Sequence, residues 1–130
     1  MTQHIRNGFS AVRPYVFGPH SILTFVETCL DGKVLVRHDQ GGNAAHIEVQ
    51  VGDSIIVLEL RDPPHESGFP GSIYVYVEDV DLAASRAENC EVEIFSPAED
   101  KPYEERQMGV RDSFGNVWWI ARFMPQVGLS

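Results

Sequence analysis

The feature that most constrains the fold is an order of elements that occurs twice along the chain. Hydrophobic periodicity predicts a strand, a helix and three further strands over residues 11–60, and the same order again over residues 72–123. Residues 61–71 hold three prolines and two glycines without periodicity, which predicts a linker or a long loop. The chain therefore predicts one α+β domain over residues 1–130, in which two βαβββ modules form a curved, cupped mixed sheet.

The boundaries of the elements follow from the same patterns. In the first module we predict strands over residues 11–17, 33–38, 45–51 and 54–60, and a helix that runs from Pro19 to Leu30. In the second module we predict strands over residues 72–77, 91–95, 107–111 and 117–123, a helix over 82–87, and a charged loop over 96–105. The clearest alternation is in residues 45–51, where His46 and Glu48 point away from the apolar side. Helices on one side leave the other sheet faces free to line a cavity, within one chain or between two.

Charge and hydropathy exclude several classes of partner. A net charge of −9 argues against nucleic acid, because the phosphate backbone attracts Lys and Arg. The chain has no run of about 18 apolar residues that could span a membrane. Residues 1–9 lack the apolar segment of a secretory signal, so we expect a cytoplasmic protein.

The two cysteines of the chain, Cys29 and Cys90, are predicted at helix ends, outside any CxxC pair, and are expected to be reduced and structural.

The last predicted hairpin carries a family resemblance. Residues 103–121, YEERQMGVRDSFGNVWWIA, resemble the C-terminal signature of the glyoxalase/bleomycin-resistance/dioxygenase (vicinal oxygen chelate) superfamily, especially its PhnB-like branch. Residues 76–81, YVEDVD, and 46–53, HIEVQVGD, resemble other parts of that branch in the same order. The resemblance covers residues 11–123 and implies paired βαβββ modules, an obligate dimer and a cavity in the cup of strands. It also implies a divalent metal on about four His or Glu side chains in the enzymes, and antibiotic sequestration without metal in other members.

The positions at which the family carries metal ligands are mostly occupied by other residue types. The ligand position of the first strand falls within residues 13–15, none of which binds such a cation well. The position on the fifth strand falls at Ser72 or Tyr74, and that on the eighth strand falls at Trp119. Only the position on the fourth strand, Glu59, keeps a side chain that can bind a metal. We therefore predict no metal and no cofactor. One alternative stays open, in which His46, Glu48 and Glu59 hold a metal in a lyase, isomerase or dioxygenase. The other interpretation of His46 and Glu48 is a hydrogen-bonded polar pair on the sheet.

Aromatic rings stand where the ligands would otherwise be. Tyr15, Tyr74 and one of Trp118 and Trp119 are predicted to face the cup, since successive strand residues face opposite ways. Such rings bind flat, apolar or cationic groups, although they could also pack in the core or in a dimer interface. Arg106 is a candidate clamp for a ligand carboxylate or a loop carbonyl, and a structural role is its alternative.

These observations predict a metal-free homodimer that sequesters an aromatic or cationic natural product, such as a peptide-like antibiotic, with no catalytic residue assigned. The predicted ligand-binding residues are Tyr15, His46, Glu48, Glu59, Tyr74, Arg106, Trp118 and Trp119.

Overall fold

Each half of the chain folds in the predicted order of strand, helix and three strands. The computed structural model describes residues 3–125, so that residues 1–2 and 126–130 of the predicted domain lie outside the described part. The first module contains β1 (Tyr15–Gly18), α1 (Ser21–Cys29), β2 (Lys33–Gly41), β3 (Ala44–Val51) and β4 (Ser54–Leu60). The second contains β5 (Ser72–Tyr76), α2 (Val80–Ala87), β6 (Val92–Lys101), β7 (Glu105–Asp112) and β8 (Val117–Phe123).

The two modules form two four-stranded mixed sheets of identical topology. The strand orders are β1-β4-β3-β2 and β5-β8-β7-β6. In each sheet the first strand pairs in parallel with the last strand of its module, and the remaining pairs are antiparallel. The α+β fold with duplicated βαβββ modules is thus confirmed.

The helices cover one face of each sheet and share one hydrophobic core. Ile47 on β3 and Trp118 on β8 are fully buried within this core. Phe25 of α1 reaches across to the second sheet, where its ring meets that of Trp118 at a centroid distance of 5.2 Å. Because strand side chains alternate, the residues between these core positions lie on the helix-free faces. Candidate binding groups must therefore be sought on those faces.

The prediction of a charged loop over residues 96–105 is wrong. β6 extends to Lys101 and β7 begins at Glu105, which leaves only a tight turn between them. β6 is an edge strand, where Pro97 and charged side chains are tolerated because one side of the backbone is unpaired. Its pairing register shifts between residues 94 and 99, which breaks the alternation that would have marked a strand.

Two smaller boundaries also differ. β2, an edge strand of the first sheet, runs to Gly41, three residues beyond its predicted end at residue 38. β1 begins only at Tyr15, and the preceding Pro14 contributes a carbonyl that accepts from the amide of Val57 at 2.9 Å. Among residues 3–125, no helix has the length and apolar character that crossing a bilayer requires.

Candidate functional site

Two adjacent tryptophans occupy opposite faces of the second sheet. Trp118 is fully buried, and its indole Nε1 donates to Asp112 Oδ2 at 2.9 Å. Trp119 lies on the helix-free face and is only half-buried. The expectation that only one of the two faces inward identifies Trp119 as the candidate, and Trp118 is corrected to a core residue because it has no surface left for a ligand.

Trp119 belongs to a shallow pocket lined largely by aromatic rings, which we call the aromatic site. Its residues are Tyr74, Tyr103, Gln107 and Trp119, and its volume is about 320 Å³. Tyr74 on β5 is the register partner of Trp119 on β8, so the parallel pairing of these two strands sets the two rings side by side.

A glycine makes room for the tryptophan ring. Gly109 on β7 is the register partner of Trp119. A Cβ atom at Gly109 would lie 2.7 Å from Cζ of Phe95 and 2.8 Å from Cζ3 of Trp119. The absence of that atom lets the two rings meet edge to face over the strand, with centroids 5.3 Å apart.

Hydrogen bonds fix the polar groups of the aromatic site. Tyr103 donates its hydroxyl to Oε1 of Gln107 at 3.2 Å, and Nε2 of Gln107 donates to the hydroxyl oxygen of Tyr74 at 3.0 Å. Tyr74 in turn donates to the carboxylate of Glu105. These hydrogen bonds hold the side chain of Gln107 in one orientation between the two phenols.

A carboxylate lies at the edge of the aromatic site. Glu105 accepts hydrogen bonds from the hydroxyls of Tyr74 and Tyr76, and these two bonds, the one from Tyr74 being the stronger influence, lower the pKa of Glu105. Burial, followed by the hydrogen bond to Glu105, raises the pKa of Tyr74 to about 12. At neutral pH the edge therefore carries a carboxylate anion beside neutral phenols, an arrangement that attracts a cationic aromatic group.

The helix-free face of the first sheet carries a different set, which we call the charged cluster: Arg13, His46, Glu48 and Glu59. The pairing of β3 with β4 places His46 opposite Glu59. The two ring nitrogens of His46 bond to the two carboxylates, Nδ1 to Glu59 and Nε2 to Oε2 of Glu48 at 3.2 Å. Nη1 of Arg13 donates to the other oxygen of Glu48 at 2.8 Å.

The charges within this cluster are mutually compensating. Both glutamates are buried, with 5% of Glu48 and 7% of Glu59 exposed, so each needs its cationic or hydrogen-bonding partner. Burial alone would lower the pKa of His46, but the hydrogen bonds and charges of Glu59 and Glu48 outweigh it and raise that pKa. The sequence interpretation of a hydrogen-bonded polar pair describes this arrangement.

The residues of the charged cluster do not fit a metal centre. Both ring nitrogens of His46 are engaged by carboxylates, and Glu48 is paired with Arg13 and, at 3.5 Å, with Nε of Arg6. Within residues 3–125 no group of three or more His, Cys, Asp or Glu side chains is arranged to hold a metal ion. The aromatic residues at the other ligand positions of the family supply no replacement.

Two further predicted residues lie outside the aromatic site. Tyr15 is beside the charged cluster, where burial and then the negative charge of Glu59 raise its pKa. Arg106 points to the helix-covered side, and its Nε and Nη2 contact the carboxylate of Asp81 in α2 at 3.0 and 2.9 Å. Its predicted role as a ligand clamp is corrected, because strand alternation directs it away from Glu105 and Gln107 on the same strand.

Sequence reasoning missed three contributors to the aromatic site or its edge. Tyr103 and Glu105 lie in the segment predicted as a charged loop, and the sequence pattern does not distinguish Gln107 from other strand residues. The usable signal was the period of two along β7, in which Glu105, Gln107 and Gly109 share one face.

Comparison with known proteins gives a family match over most of the chain. The family model described as "Glyoxalase/Bleomycin resistance protein/Dioxygenase superfamily" matches residues 11–120. No curated protein matches the chain.

Many solved structures share the fold. TioX from Micromonospora sp. ML1 is 24% identical, with a TM-score of 0.65, covering 87% of this chain and 96% of TioX. The fosfomycin resistance protein FosX from Mesorhizobium loti is 16% identical, with a TM-score of 0.60 and coverage of 87% and 89%. A glyoxylase/bleomycin resistance protein/dioxygenase domain from Frankia sp. EAN1pec is 19% identical, with a TM-score of 0.65 and coverage of 92% and 93%. At these identities the likeness concerns the fold alone.

Proposed function

This chain belongs to the glyoxalase/bleomycin resistance protein/dioxygenase superfamily, and we propose that it is a metal-free binding protein that sequesters a cationic aromatic or peptide-like natural product at the aromatic site. The observation that carries the proposal is the placement of partly exposed rings beside a carboxylate. Tyr74 and Trp119 offer faces for stacking, and Glu105 places an anion at their edge.

The energetics of such a site suit moderate affinity. A stacking contact contributes about 0.5–1.5 kcal/mol beyond area burial, and a cation over a ring contributes about 0.5–2 kcal/mol. Two or three such contacts, together with burial of the ligand's own apolar surface, support binding in the range of about 1 μM. Affinity of that order is sufficient for sequestration without any chemical step.

The polar groups supply direction. Gln107 is buried and held between Tyr103 and Tyr74, so its orientation is set before a ligand arrives. A peptide-like ligand carries amide groups that can exchange hydrogen bonds with these three side chains. Polar groups placed in advance favour specificity, because little freedom is lost on binding.

The alternative of a metal-dependent lyase, isomerase or dioxygenase would require the charged cluster to give up its internal partners. His46 would have to release one of two carboxylates, and Glu48 would have to exchange Arg13 for the metal. These exchanges disfavour the alternative. Metal analysis of purified protein is the direct test, and stoichiometric Zn, Ni, Mn or Fe would overturn the metal-free proposal.

We further propose that the protein acts as a cytoplasmic homodimer of the PhnB-like branch. Two exposed rings, Tyr103 of the aromatic site at 55% and the nearby Tyr76 at 59%, support a second copy of the chain that shields them from water. Free thiols at both cysteines support a reducing compartment. Light scattering after size exclusion tests the dimer, and a monomer at micromolar concentration would contradict it.

Bleomycin, a cationic peptide-like compound with aromatic rings, is a suitable probe for the binding function. Calorimetry and tryptophan fluorescence should show binding and quenching in the unmodified protein, loss of both in Trp119→Ala, and retained binding in Trp119→Phe. Phe69→Ala is the matched control, since it removes a ring that is 80% exposed in the linker. If neither bleomycin nor the flat cationic dye acridine orange binds, or if Trp119→Ala binds both equally well, the proposal fails.

A further inference from the structure

The two cysteines of the chain meet at the contact between the modules. Cys29 is the last residue of α1, and Cys90 follows α2 by three residues. They are 61 residues apart in sequence, yet their Sγ atoms are 3.8 Å apart. A disulfide bond has a sulfur–sulfur distance of about 2.0 Å, so bonding requires an approach of about 1.8 Å.

Other contacts hold the two helix ends together. Nη1 of Arg86 in α2 donates to the carbonyl of Thr28 at 3.5 Å and contacts the carboxylate of Asp31 at 3.3 Å, on either side of Cys29. The amide of Cys90 donates to the carbonyl of Ala87 at 3.0 Å, which fixes the turn that carries the thiol. The proximity of the sulfurs is thus a property of the packed helices.

The two thiols differ in environment. Cys29 is buried, and burial followed by its contact with Cys90 raises its pKa to about 12, which keeps it as a thiol at neutral pH. Cys90 is only partly buried and lines a surface groove of about 420 Å³ with Glu93 and Arg111 among its neighbours. An oxidant from solvent therefore meets Cys90 first.

We propose that Cys29 and Cys90 form a reversible redox site, in which a neutral hydroperoxide such as hydrogen peroxide converts the pair into a disulfide that joins the two modules. The thiolate of Cys90 attacks one peroxide oxygen, the O–O bond breaks, and the departing hydroxide is protonated to water. The sulfenic acid formed on Cys90 is then attacked by the sulfur of Cys29, which forms the S–S bond as the S–O bond breaks. The proton of Cys29 leaves with that hydroxide as the second water, so two thiols and one peroxide give one disulfide and two waters.

The charges around the groove select the oxidant. Glu91, Glu93 and Asp112 line it beside Cys90 against one cation, Arg111, which pairs with Glu93 at 3.4 Å, and the whole chain carries a net charge of −9. An anionic oxidant such as glutathione disulfide is repelled by these carboxylates, whereas hydrogen peroxide carries no charge. Peroxide is therefore expected to react faster than glutathione disulfide at equal concentration.

The bond would restrict the unfolded chain more than the folded one. It closes a long loop that contains β2, β3, β4, the linker, β5 and α2, and such closure removes much of the conformational entropy of the unfolded state. The oxidised protein should therefore unfold at a higher temperature, by about 10 °C. Reduction by a thiol restores the original state.

Intact mass spectrometry and thermal unfolding after treatment with hydrogen peroxide test the site. We expect a loss of two hydrogens from the monomer, a peptide that links Cys29 with Cys90, a raised Tm, and reversal of all three by dithiothreitol. Cys29→Ser should instead accumulate oxygen on Cys90, whereas Cys90→Ser should leave Cys29 unmodified. The double serine variant controls for oxidation of methionine.

Three results would overturn the proposal: unreacted thiols in the folded protein, disulfides between two copies in place of the internal one, or oxidation of Cys29 in Cys90→Ser at the rate of Cys90 in the intact protein. The first two are read from the unmodified sequence, so they hold even if a serine variant folds poorly.

Discussion

Trp118 and Trp119 are consecutive residues of β8 whose indoles serve opposite sides of the second sheet. Trp118 packs against Phe25 in the shared core with no exposed surface. Trp119 packs against Phe95 on the helix-free face and belongs to the aromatic site. Of these two neighbouring residues, Trp118 therefore stabilises the fold and Trp119 forms part of the candidate binding surface.

The first prediction separates these two roles by truncation. Trp118→Ala should lower the free energy of unfolding by about 3–5 kcal/mol, because it leaves a large cavity in a packed core. Trp119→Ala should cost about 1 kcal/mol or less, because its ring is only half-buried. Urea unfolding monitored by circular dichroism measures both, and equal losses would contradict the assignment of the rings.

The second prediction concerns the buried carboxylate that supports Trp118. One oxygen of Asp112 accepts from the backbone amides of Phe114, Gly115 and Asn116, and the other accepts from the indole of Trp118. Asp112→Ala leaves these donors without their acceptor and should cost about 3 kcal/mol.

Two neighbouring substitutions calibrate that result. Asp112→Asn keeps one acceptor oxygen and should fall between the alanine variant and the unmodified protein in urea unfolding. Ser113→Ala, in the same turn but exposed, should lie within about 0.5 kcal/mol of the unmodified protein. A loss in Ser113→Ala as large as that in Asp112→Ala would mean that the turn, and not the carboxylate, is the sensitive element.

The third prediction follows from the raised pKa of His46. A group whose pKa is higher in the folded state than its ordinary value of 6.5 stabilises the fold fully below that value, and the contribution is lost as pH rises through the raised pKa. Both buried carboxylates of the charged cluster bond to this ring, and the guanidinium of Arg13 bonds to one of them, Glu48. His46→Gln should therefore flatten the decline in unfolding free energy that the unmodified protein shows across this pH range.

The matched control for that titration is His4→Gln, which removes an exposed histidine. If it flattened the pH dependence of stability as much as His46→Gln does, the effect would not be specific to the charged cluster. An NMR titration in which His46 has a pKa at or below 6.5 would contradict the ion-pair description of the cluster.

The order of elements could be predicted from the sequence, because periodicity in β3, β4 and β8 records which face is buried. The edge strands β2 and β6 were predicted too short, because an edge strand keeps one side of its backbone unpaired and so tolerates Pro97, charges and register shifts. The contact between Cys29 and Cys90 could not be predicted, since it depends on how two helices from different modules pack.

The candidate site was predictable only in part, because some of its features depend on contacts between segments that are distant in sequence. Tyr74 and Trp119 were found because strand alternation is local, and their adjacency follows from parallel pairing. Glu105 and Tyr103 were missed with the mistaken loop. The choice between a ligand clamp and a structural role for Arg106 could not be made from the sequence, because its partner Asp81 lies in a helix that is distant in sequence.

The fourth prediction tests the preference of the aromatic site for cations. Glu105→Gln keeps the length of the side chain but removes its charge, so affinity for acridine orange should fall about two- to fivefold, the size expected of an exposed ion pair. The effect should shrink at high salt, because an exposed charge is screened. Glu88→Gln, on the surface at the end of α2, changes net charge equally and should leave the affinity unchanged. Equal losses in both variants would attribute the effect to overall charge.

The fifth prediction uses the glycine beneath the rings. A methyl group added at Gly109 would lie under 3.0 Å from both Phe95 and Trp119, so these rings must move apart. Gly109→Ala should shift the emission of Trp119 and weaken bleomycin binding roughly tenfold, or about 1.4 kcal/mol. The cost in unfolding free energy should be about 1–3 kcal/mol, as for other overpacked positions. Gly71→Ala is the control, because a Cβ atom there meets nothing within 4 Å. If Gly109→Ala bound bleomycin with unchanged affinity while its tryptophan emission shifted, the ligand would have to bind away from Trp119.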